Sequence, residues 1–229
     1  MSPRLLWGAR FVLFGVASGA SLLGIAMWLY PGGNALDPEA AGHSFWLNFL
    51  CDLTEPVARN GVPSPTGSAL ARAGMLDLSL ALGAVWLIGP ALLPDHRAAA
   101  RLIRGAGALC AVALVAVPLV PGVAHMLAIF TSSATGLAAG VMTLVVLVRG
   151  GGPRHVWLLL VAVLVTTAAD SVFYAQSMAS HARVIRPELP AVQRLAGLLA
   201  LAWMIATALA VLRARPRPPA TEAARPARS

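Results

Sequence analysis

The chain has 229 residues, of which 58% are hydrophobic and only 11% are charged, and its formal net charge is +8. A soluble domain carries roughly 25% charged residues, so this composition argues against an ordinary soluble protein and favours a membrane protein. All 17 basic residues are arginine, and they stand at the ends of apolar stretches rather than on a soluble basic face. That placement argues against nucleic acid as a partner and predicts membrane lipids instead.

Six apolar segments reach the length of about 20 residues that a membrane-spanning helix needs. In chain order they are 9–30, 68–93, 102–120, 123–148, 155–178 and 192–212, and proline and glycine separate most of them. The predicted fold class is all-α: a polytopic membrane protein with six transmembrane helices and a short interfacial helix in the first outer loop. Residues 1–212 are predicted to form the membrane domain. Residues 213–229, rich in proline and arginine, are predicted to form a disordered basic cytoplasmic tail.

The arginines also predict an orientation. With the N-terminus in the cytoplasm, twelve arginines fall on the inner side and five on the outer side. The positive-inside rule then places both termini in the cytoplasm of a multi-pass protein in a bacterial inner (cytoplasmic) membrane. The first apolar segment is longer than the core of a signal peptide and lacks a convincing cleavage site, so it is interpreted as an uncleaved span.

Two carboxylates fall inside predicted spans at matching depth. Asp77 and Asp170 each lie roughly 12–14 Å below the outer end of their helix, at 1.5 Å per residue. An acid at the centre of a membrane helix costs about 2.5–3.5 kcal/mol and usually faces the interior of the bundle. We therefore expect the two carboxylates to lie within one water or one arginine side chain of each other. The alternative is that each forms a structural ion pair, with Arg72 or Arg194.

The first outer loop contains the stretch "HSFWLNFLCDL", residues 43–53. Ser44 is a suitable N-cap for a helix over 44–53, and Asn48 and Asp52 then share one face of it. We expect that face to turn inward and cover the outer end of the bundle. Asp52 or Asn48 should then lie within hydrogen-bonding reach of His125, at the start of the fourth span, directly or through one water. The alternative is an interfacial helix whose polar stripe faces water.

The candidate ligand-binding residues all belong to this outer end. They are Asn48, Asp52, Asp77, His125, Asp170, Gln193 and Arg194, with His43, Arg72 and His181 as secondary candidates. Their spacing matches no metal signature, and no phosphate loop, HExxH, GxSxG or paired CxxC motif occurs. No metal site and no cofactor is therefore assigned. The two cysteines, Cys51 and Cys110, are expected at different depths and hence without a disulfide.

One resemblance to a known family rests on two stretches. "HSFWLNFLCDLTEPVARNGVPSPTGSALARAGM" resembles the first loop of bacterial membrane proteins of domain-of-unknown-function family nine-nine-eight, and "VPGVAHMLAIFTSS" resembles that family's turn and following histidine. The resemblance implies roles for Asn48, Asp52 and His125. Cys51 stands where the family usually has serine, and Thr54 where it has glycine. More loosely, the six-helix layout is similar to the damage-regulated autophagy modulator superfamily.

Three functions fit these residues. The prediction is an integral membrane protein whose outer polar pocket binds a lipid headgroup, a small solute or an ion. One alternative is a membrane-embedded lipid hydrolase that uses a metal or the Asp77–Asp170 pair. The other is a transporter or proton-coupled carrier, which the lack of ionisable residues in the inner half of the bundle disfavours.

Overall fold

A computed structural model describes residues 2–93, 96–179 and 186–214, and their regular structure is helical apart from two isolated β-bridges in the first loop. Six helices are long and apolar enough to cross a membrane, which confirms the predicted fold class. They are α1 (Pro3–Trp28), α2 (Pro65–Ile88), α3 (Arg97–Ala116), α4 (Gly122–Arg149), α5 (Arg154–Ala179) and α6 (Leu189–Arg213). Short 3₁₀ helices cover Cys51–Thr54 and Gly89–Leu92. His181 and the tail beyond Ala214 lie outside the described residues.

Proline sets several of these boundaries. Pro3 and Pro65 open α1 and α2, where a missing backbone N–H breaks no helical hydrogen bond. The third helix was predicted to reach residue 120 but ends at Ala116. Pro118 lacks an N–H and cannot continue the helical hydrogen-bond pattern, so the helix ends although Val117 itself keeps helical backbone angles.

The six helices form a closed ring. Each helix packs against the next in sequence, α6 packs back against α1, and α2 also touches α6 across the ring. We call the end of the bundle that carries the first loop, residues 29–64, the loop end. There α1, α3 and α5 end, and α2, α4 and α6 begin. The side chains of this loop therefore lie near the first turns of α2, α4 and α6.

The contact between α1 and α2 is the most extensive in the ring. Glycines allow the two backbones to approach closely: a Cβ on Gly19 would lie 2.8 Å from the Gly74 carbonyl oxygen and 2.7 Å from Leu78 Cγ. Small residues serve this purpose in membrane helix pairs. We call this contact the α1–α2 seam.

The buried apolar side chains fall into two clusters. The larger lies toward the end opposite the first loop and draws on all six helices, with Trp86 and Trp203 in tilted contact at a centroid distance of 5.0 Å. The smaller joins α1 and α2 to the first loop through Leu23, Ala26, Tyr30, Leu53, Ala58 and Ala71. Dense packing therefore closes the far end of the ring, and the loop-proximal interior remains for a site.

Candidate ligand-binding site

The first loop does not form the predicted helix over 44–53. Only Cys51–Thr54 is helical, as a single 3₁₀ turn, and a turn precedes it. Polar side chains bind the local backbone instead: Asn48 Oδ1 accepts from the Ser44 N–H at 2.9 Å, and Asp52 Oδ2 accepts from the Phe49 N–H at 3.0 Å. Such bonds compete with the helical hydrogen-bond pattern. Ser44 is therefore capped by Asn48 and is not the predicted N-cap.

Asn48 and Asp52 are both buried, with exposed fractions of 0% and 2%. Asn48 Nδ2 donates to the Gly33 carbonyl at 2.8 Å and to Asp52 Oδ2 at 3.2 Å. Asp52 Oδ1 accepts from Arg59 Nε and Nη2, each at 2.8 Å. Their polar groups are thus bound within the loop itself, so these two residues hold the loop in shape.

Helix α6 binds the loop through two adjacent side chains. Arg194, only 3% exposed, donates to the carbonyls of Phe45 at 3.1 Å and Asn48 at 3.2 Å, and its Nη2 lies 3.1 Å from His43 Nε2. Burial, and next the charge of Arg194, lower the pKa of His43 to about 4, so this imidazole is a neutral acceptor. Gln193 Oε1 accepts from the Leu50 N–H at 3.0 Å.

Helix α2 adds a second attachment at the other end of the 3₁₀ turn. Arg72 Nε and Ser68 Oγ both donate to the Thr54 carbonyl, at 3.0 and 2.7 Å. Arg72 and Arg194 therefore bind loop backbone and not the carboxylates that the sequence offered them. The loop is docked on the bundle, and the flat interfacial helix is not what forms.

His125 meets the loop at a residue that the sequence did not single out. Its Nδ1 lies 2.8 Å from the Val117 carbonyl and its Nε2 lies 3.4 Å from Cys51 Sγ. A carbonyl only accepts, so Nδ1 carries a proton, and in the neutral imidazole the Nε2 lone pair then faces the thiol. The predicted Asp52–His125 contact is wrong, because Arg59 occupies Asp52 and the 3₁₀ turn presents Cys51 to α4 instead.

A cavity of about 280 Å³ lies inside the ring beneath Leu50 and Cys51. Helices α2 to α6 line it, whereas α1 stays outside because α2 and α6 touch. Most of the lining is apolar; the exceptions are Cys51, Trp86, Cys110, Ser132, Ser133, Thr167, Asp170, Gln193 and Trp203. Both cysteines are free thiols. The cavity extends from Gln193 to Trp203, ten residues or about 15 Å along α6.

The predicted pairing of Asp77 with Asp170 is wrong. Asp77 Oδ2 accepts a 2.6 Å hydrogen bond from Ser18 Oγ in the α1–α2 seam. Met75 lines the cavity, and Asp77 lies two residues on, about 200° around the helix from it. Asp170 does line the cavity, on a helix that is not a ring neighbour of α2. A similar depth in the membrane does not bring two residues together: Asp77 lies on the α1 side of α2, and Asp170 lines the cavity on the other side of that helix.

Asp170 has no partner in the part of the chain that the structure describes. No described group donates a hydrogen bond to its carboxyl, and the single ion pair found there joins Arg59 and Asp52. Within the same residues, no three His, Cys, Asp or Glu side chains gather closely enough to hold a metal ion. Asp170 is thus the acidic group that lines the cavity, and its bonding capacity remains free.

Comparison with protein-family models, curated proteins and solved structures finds no match for this chain. The resemblance to family nine-nine-eight therefore stays a prediction that rests on Asn48, Asp52 and His125. Sequence reasoning missed Cys51 and Arg59. A signal for Cys51 existed: it is the loop's one cysteine, and it departs from the residue that the resembled family usually has.

Proposed function

We propose that this chain is an integral membrane protein that binds a small amphiphilic molecule inside its helix ring, with a cationic or hydrogen-bond-donating group of that molecule at Asp170. The observation that carries the proposal is an unpartnered carboxyl group in a mainly apolar cavity, part of whose wall is Leu50 and Cys51 of the first loop. An acid within a membrane span is costly and is retained where it has a function.

The cavity suits a ligand with one polar end. Cys51, Gln193 and Asp170 lie toward the loop end, whereas Trp86 and Trp203 lie deeper. An apolar body therefore fits the deep part while an amine or hydroxyl group donates to Asp170. A cavity of about 280 Å³ is just under the usual range of roughly 300–1,000 Å³ for ligand pockets, so the ligand is small.

This proposal narrows the earlier prediction of an outer polar pocket. Asn48, His43 and Arg194 bind one another or the loop backbone. A second cavity of about 290 Å³, lined by Asp52, Glu55, Val57 and Arg59, has the Arg59–Asp52 ion pair in its wall. We place the ligand below the loop because Asp170 has no described partner there. A carrier is disfavoured, because the larger apolar cluster closes the opposite end of the ring.

The proposed setting is a bacterial inner membrane, with both termini cytoplasmic, the loop end outward and membrane lipids as partners. The twelve-to-five partition of arginines supports this orientation. Reporter fusions within residues 40–65 and at the C-terminus should report opposite compartments. Fusions that report the same compartment would contradict it.

The first test compares two carboxylates. Purified protein in lipid nanodiscs is titrated with decylamine, decanol and decanoate, and thermal unfolding is followed. Decylamine should stabilise the protein most and decanoate least. Asp170→Asn should weaken the apparent affinity for decylamine by about tenfold or more, the loss expected for one charge-assisted hydrogen bond.

The matched control for this test is Asp77→Asn, which alters a carboxylate at the same depth but in the α1–α2 seam. It should leave the decylamine titration unchanged. Equal effects of the two substitutions, or equal stabilisation by all three probes, would overturn the proposal.

A second variant tests the location. Gly197 lines the cavity, and a Cβ there would meet no atom within 4 Å, so Gly197→Leu should fill the cavity without a clash at Cβ. It should abolish decylamine stabilisation. Gly24 has equally open surroundings but lies exposed on α1, so Gly24→Leu is the control and should bind decylamine normally.

A further inference from the structure

We propose that Cys51, His125 and Gln193 form an acyl-transfer site at the loop end of the cavity. Cys51 is the nucleophile, His125 is its general base, and the Gln193 amide stabilises the oxyanion. The substrate class is an ester or thioester of a short or medium acyl chain, which would occupy the apolar cavity. The inference rests on the proposed function to the extent that both use this cavity.

The contact between His125 and Cys51 has the geometry of a base beside its nucleophile. The Nε2···Sγ distance is 3.4 Å, and the 2.8 Å bond from Nδ1 to the Val117 carbonyl fixes both the ring orientation and the tautomer. A nucleophile, a base and a group that orients the base are the three parts that such sites share. Backbone plays the orienting role here, because Asp52 is bound to Arg59.

The resting nucleophile is the protonated thiol. Burial, followed by the carboxylates of Asp52 and Glu55, raises the pKa of Cys51 to about 12. Free thiolate is therefore scarce at neutral pH, and the proton has to pass to His125 Nε2 as the sulfur attacks. This makes the reaction depend on His125, whereas a preformed thiolate would not.

Gln193 supplies the third element. Its Oε1 accepts from the Leu50 N–H at 3.0 Å, which leaves the Nε2 donors of a cavity-lining amide directed elsewhere. No described protein group accepts from Nε2. Gln193 binds the backbone of Leu50, the residue before Cys51, and lines the same cavity as Cys51. Side-chain amides are among the groups that stabilise oxyanions.

Cys51, His125 and Gln193 account for each bond and for the proton in the acyl-transfer step. Sulfur of Cys51 forms a bond to the acyl carbon, and the carbonyl oxygen takes the negative charge next to Gln193. The tetrahedral intermediate collapses with cleavage of the bond to the leaving alcohol or thiol, which receives the proton from His125. The products are a Cys51 thioester and the free alcohol or thiol, and water or another nucleophile then releases the acyl group.

The substrate's length follows from the cavity. An acyl chain attached at Cys51 would extend toward Trp86 and Trp203, over about 15 Å of helix. Asp170 lines the same cavity as Cys51, Trp86 and Trp203. A hydroxyl or amine on the substrate would then bind Asp170 while the ester carbonyl lies at Cys51.

The experiment uses para-nitrophenyl octanoate with the full chain in nanodiscs. Wild-type protein should release a burst of one equivalent of nitrophenol and gain the mass of one octanoyl group, which peptide mapping should locate at Cys51. Cys51→Ala and Cys51→Ser should show neither the burst nor the thioester. Gly24→Leu, remote from the site, should match wild type.

Substitution of His125 or Gln193 should slow the acylation without abolishing it. His125→Ala should acylate about 100 to 10,000 times more slowly, the usual contribution of a general base, and added imidazole should restore part of the rate. Gln193→Ala should be about 100 to 1,000 times slower, as for loss of one oxyanion donor. A purely structural His125 would show no imidazole rescue, which would overturn its assignment as base.

Decylamine titration of the same variants separates the two proposals. Wild-type protein is expected both to be stabilised by decylamine and to be acylated at Cys51. Wild-type protein that binds decylamine but is never acylated at Cys51 would overturn the acyl-transfer site and leave the binding function standing. Octanoyl transfer to Cys51 without decylamine binding would overturn the role of Asp170 instead. Acylation at Cys110 in place of Cys51 would also overturn the inference.

Discussion

The α1–α2 seam and the interior of the helix ring each contain an aspartate, and the surroundings of the two carboxyl groups are opposite. In the seam, glycines bring two backbones together, and the Asp77 carboxylate has a 2.6 Å hydrogen bond from Ser18. In the ring interior, the helices leave about 280 Å³ empty, and the Asp170 carboxyl has no described partner. One acid completes a packed contact, and the other faces a space.

This difference shows where the molecule can bind something. The Asp77 carboxylate accepts a hydrogen bond between close-packed helices and does not line the cavity, so it is not available to a ligand there. An unpartnered one beside a cavity costs free energy unless a ligand or a proton compensates it. Depth alone makes the two acids equivalent, and only the helix face on which each lies distinguishes them.

The largest effect is expected where the first loop closes the ring interior. Arg194→Met keeps an apolar stem but removes the hydrogen bonds to Phe45, Asn48 and His43, and leaves two carbonyls without that donor. We expect a loss of about 3 kcal/mol in stability. The loop should then detach and expose Cys51, so alkylation of Cys51 by a maleimide should accelerate at least about tenfold.

Arg72→Met is the matched control for this prediction. Arg72 is exposed, and its acceptor, the Thr54 carbonyl, keeps the hydrogen bond from Ser68. Arg72→Met should lower the free energy of unfolding by less than about 1 kcal/mol. Equal maleimide rates in wild type and Arg194→Met would mean that Arg194 does not hold the loop on the bundle.

The sequence predicted the fold well because hydrophobic length alone identifies six spans. It also placed Asn48, His125, Gln193 and Arg194 at one end of the bundle, and the structure does bring these residues together. It failed at the level of single contacts. The loop chain is bent by Asn48 and Asp52 bonds to nearby backbone, and this turned Cys51 rather than Asp52 toward His125.

The error about Asp77 has a different physical origin. Both faces of α2 are apolar, since one faces α1 and the other faces the ring interior, so periodicity could not tell them apart. The assignment required the ring order of the helices. That order depends on close contacts such as Gly19 with Gly74, which small residues permit but do not identify in advance.

The second prediction concerns pH and the same loop. Burial and Arg194 lower the pKa of His43 from 6.5 to about 4, so the unfolded chain binds a proton more readily than the folded protein. Stability from neutral His43 is therefore complete above about pH 6.5 and is lost as the pH falls toward 4. The loss should be roughly 2 kcal/mol, allowing for partial exposure of the ring.

The measurement is the difference in unfolding free energy between wild type and His43→Gln from pH 7.5 to 4.5. Glutamine keeps an acceptor for Arg194 but does not titrate, so contributions from other titrating groups cancel in the difference. The wild-type protein should lose more stability than the variant. Parallel curves would show that Arg194 and His43 do not depend on a neutral imidazole.

The last prediction makes the same small change in both regions. Gly19→Ala places a Cβ 2.7 Å from Leu78 Cγ and 2.8 Å from the Gly74 carbonyl oxygen, so α1 and α2 must separate, at a cost of about 1–3 kcal/mol. Gly197→Ala meets no atom within 4 Å, and alanine favours the helix, so stability should rise by up to about 1 kcal/mol. Gly24→Ala, exposed on α1 with equally open surroundings, gives the gain from helix propensity alone.

The measurement is unfolding in a detergent titration. Gly197→Ala and Gly24→Ala should be more stable than wild type, and Gly19→Ala should be less stable. If Gly197→Ala falls below wild type, the space inside the ring is not empty in the folded protein. If Gly19→Ala leaves the stability unchanged, the helices of the seam are not packed as closely as the Gly19–Gly74 contact indicates. The contrast between the two regions would then disappear.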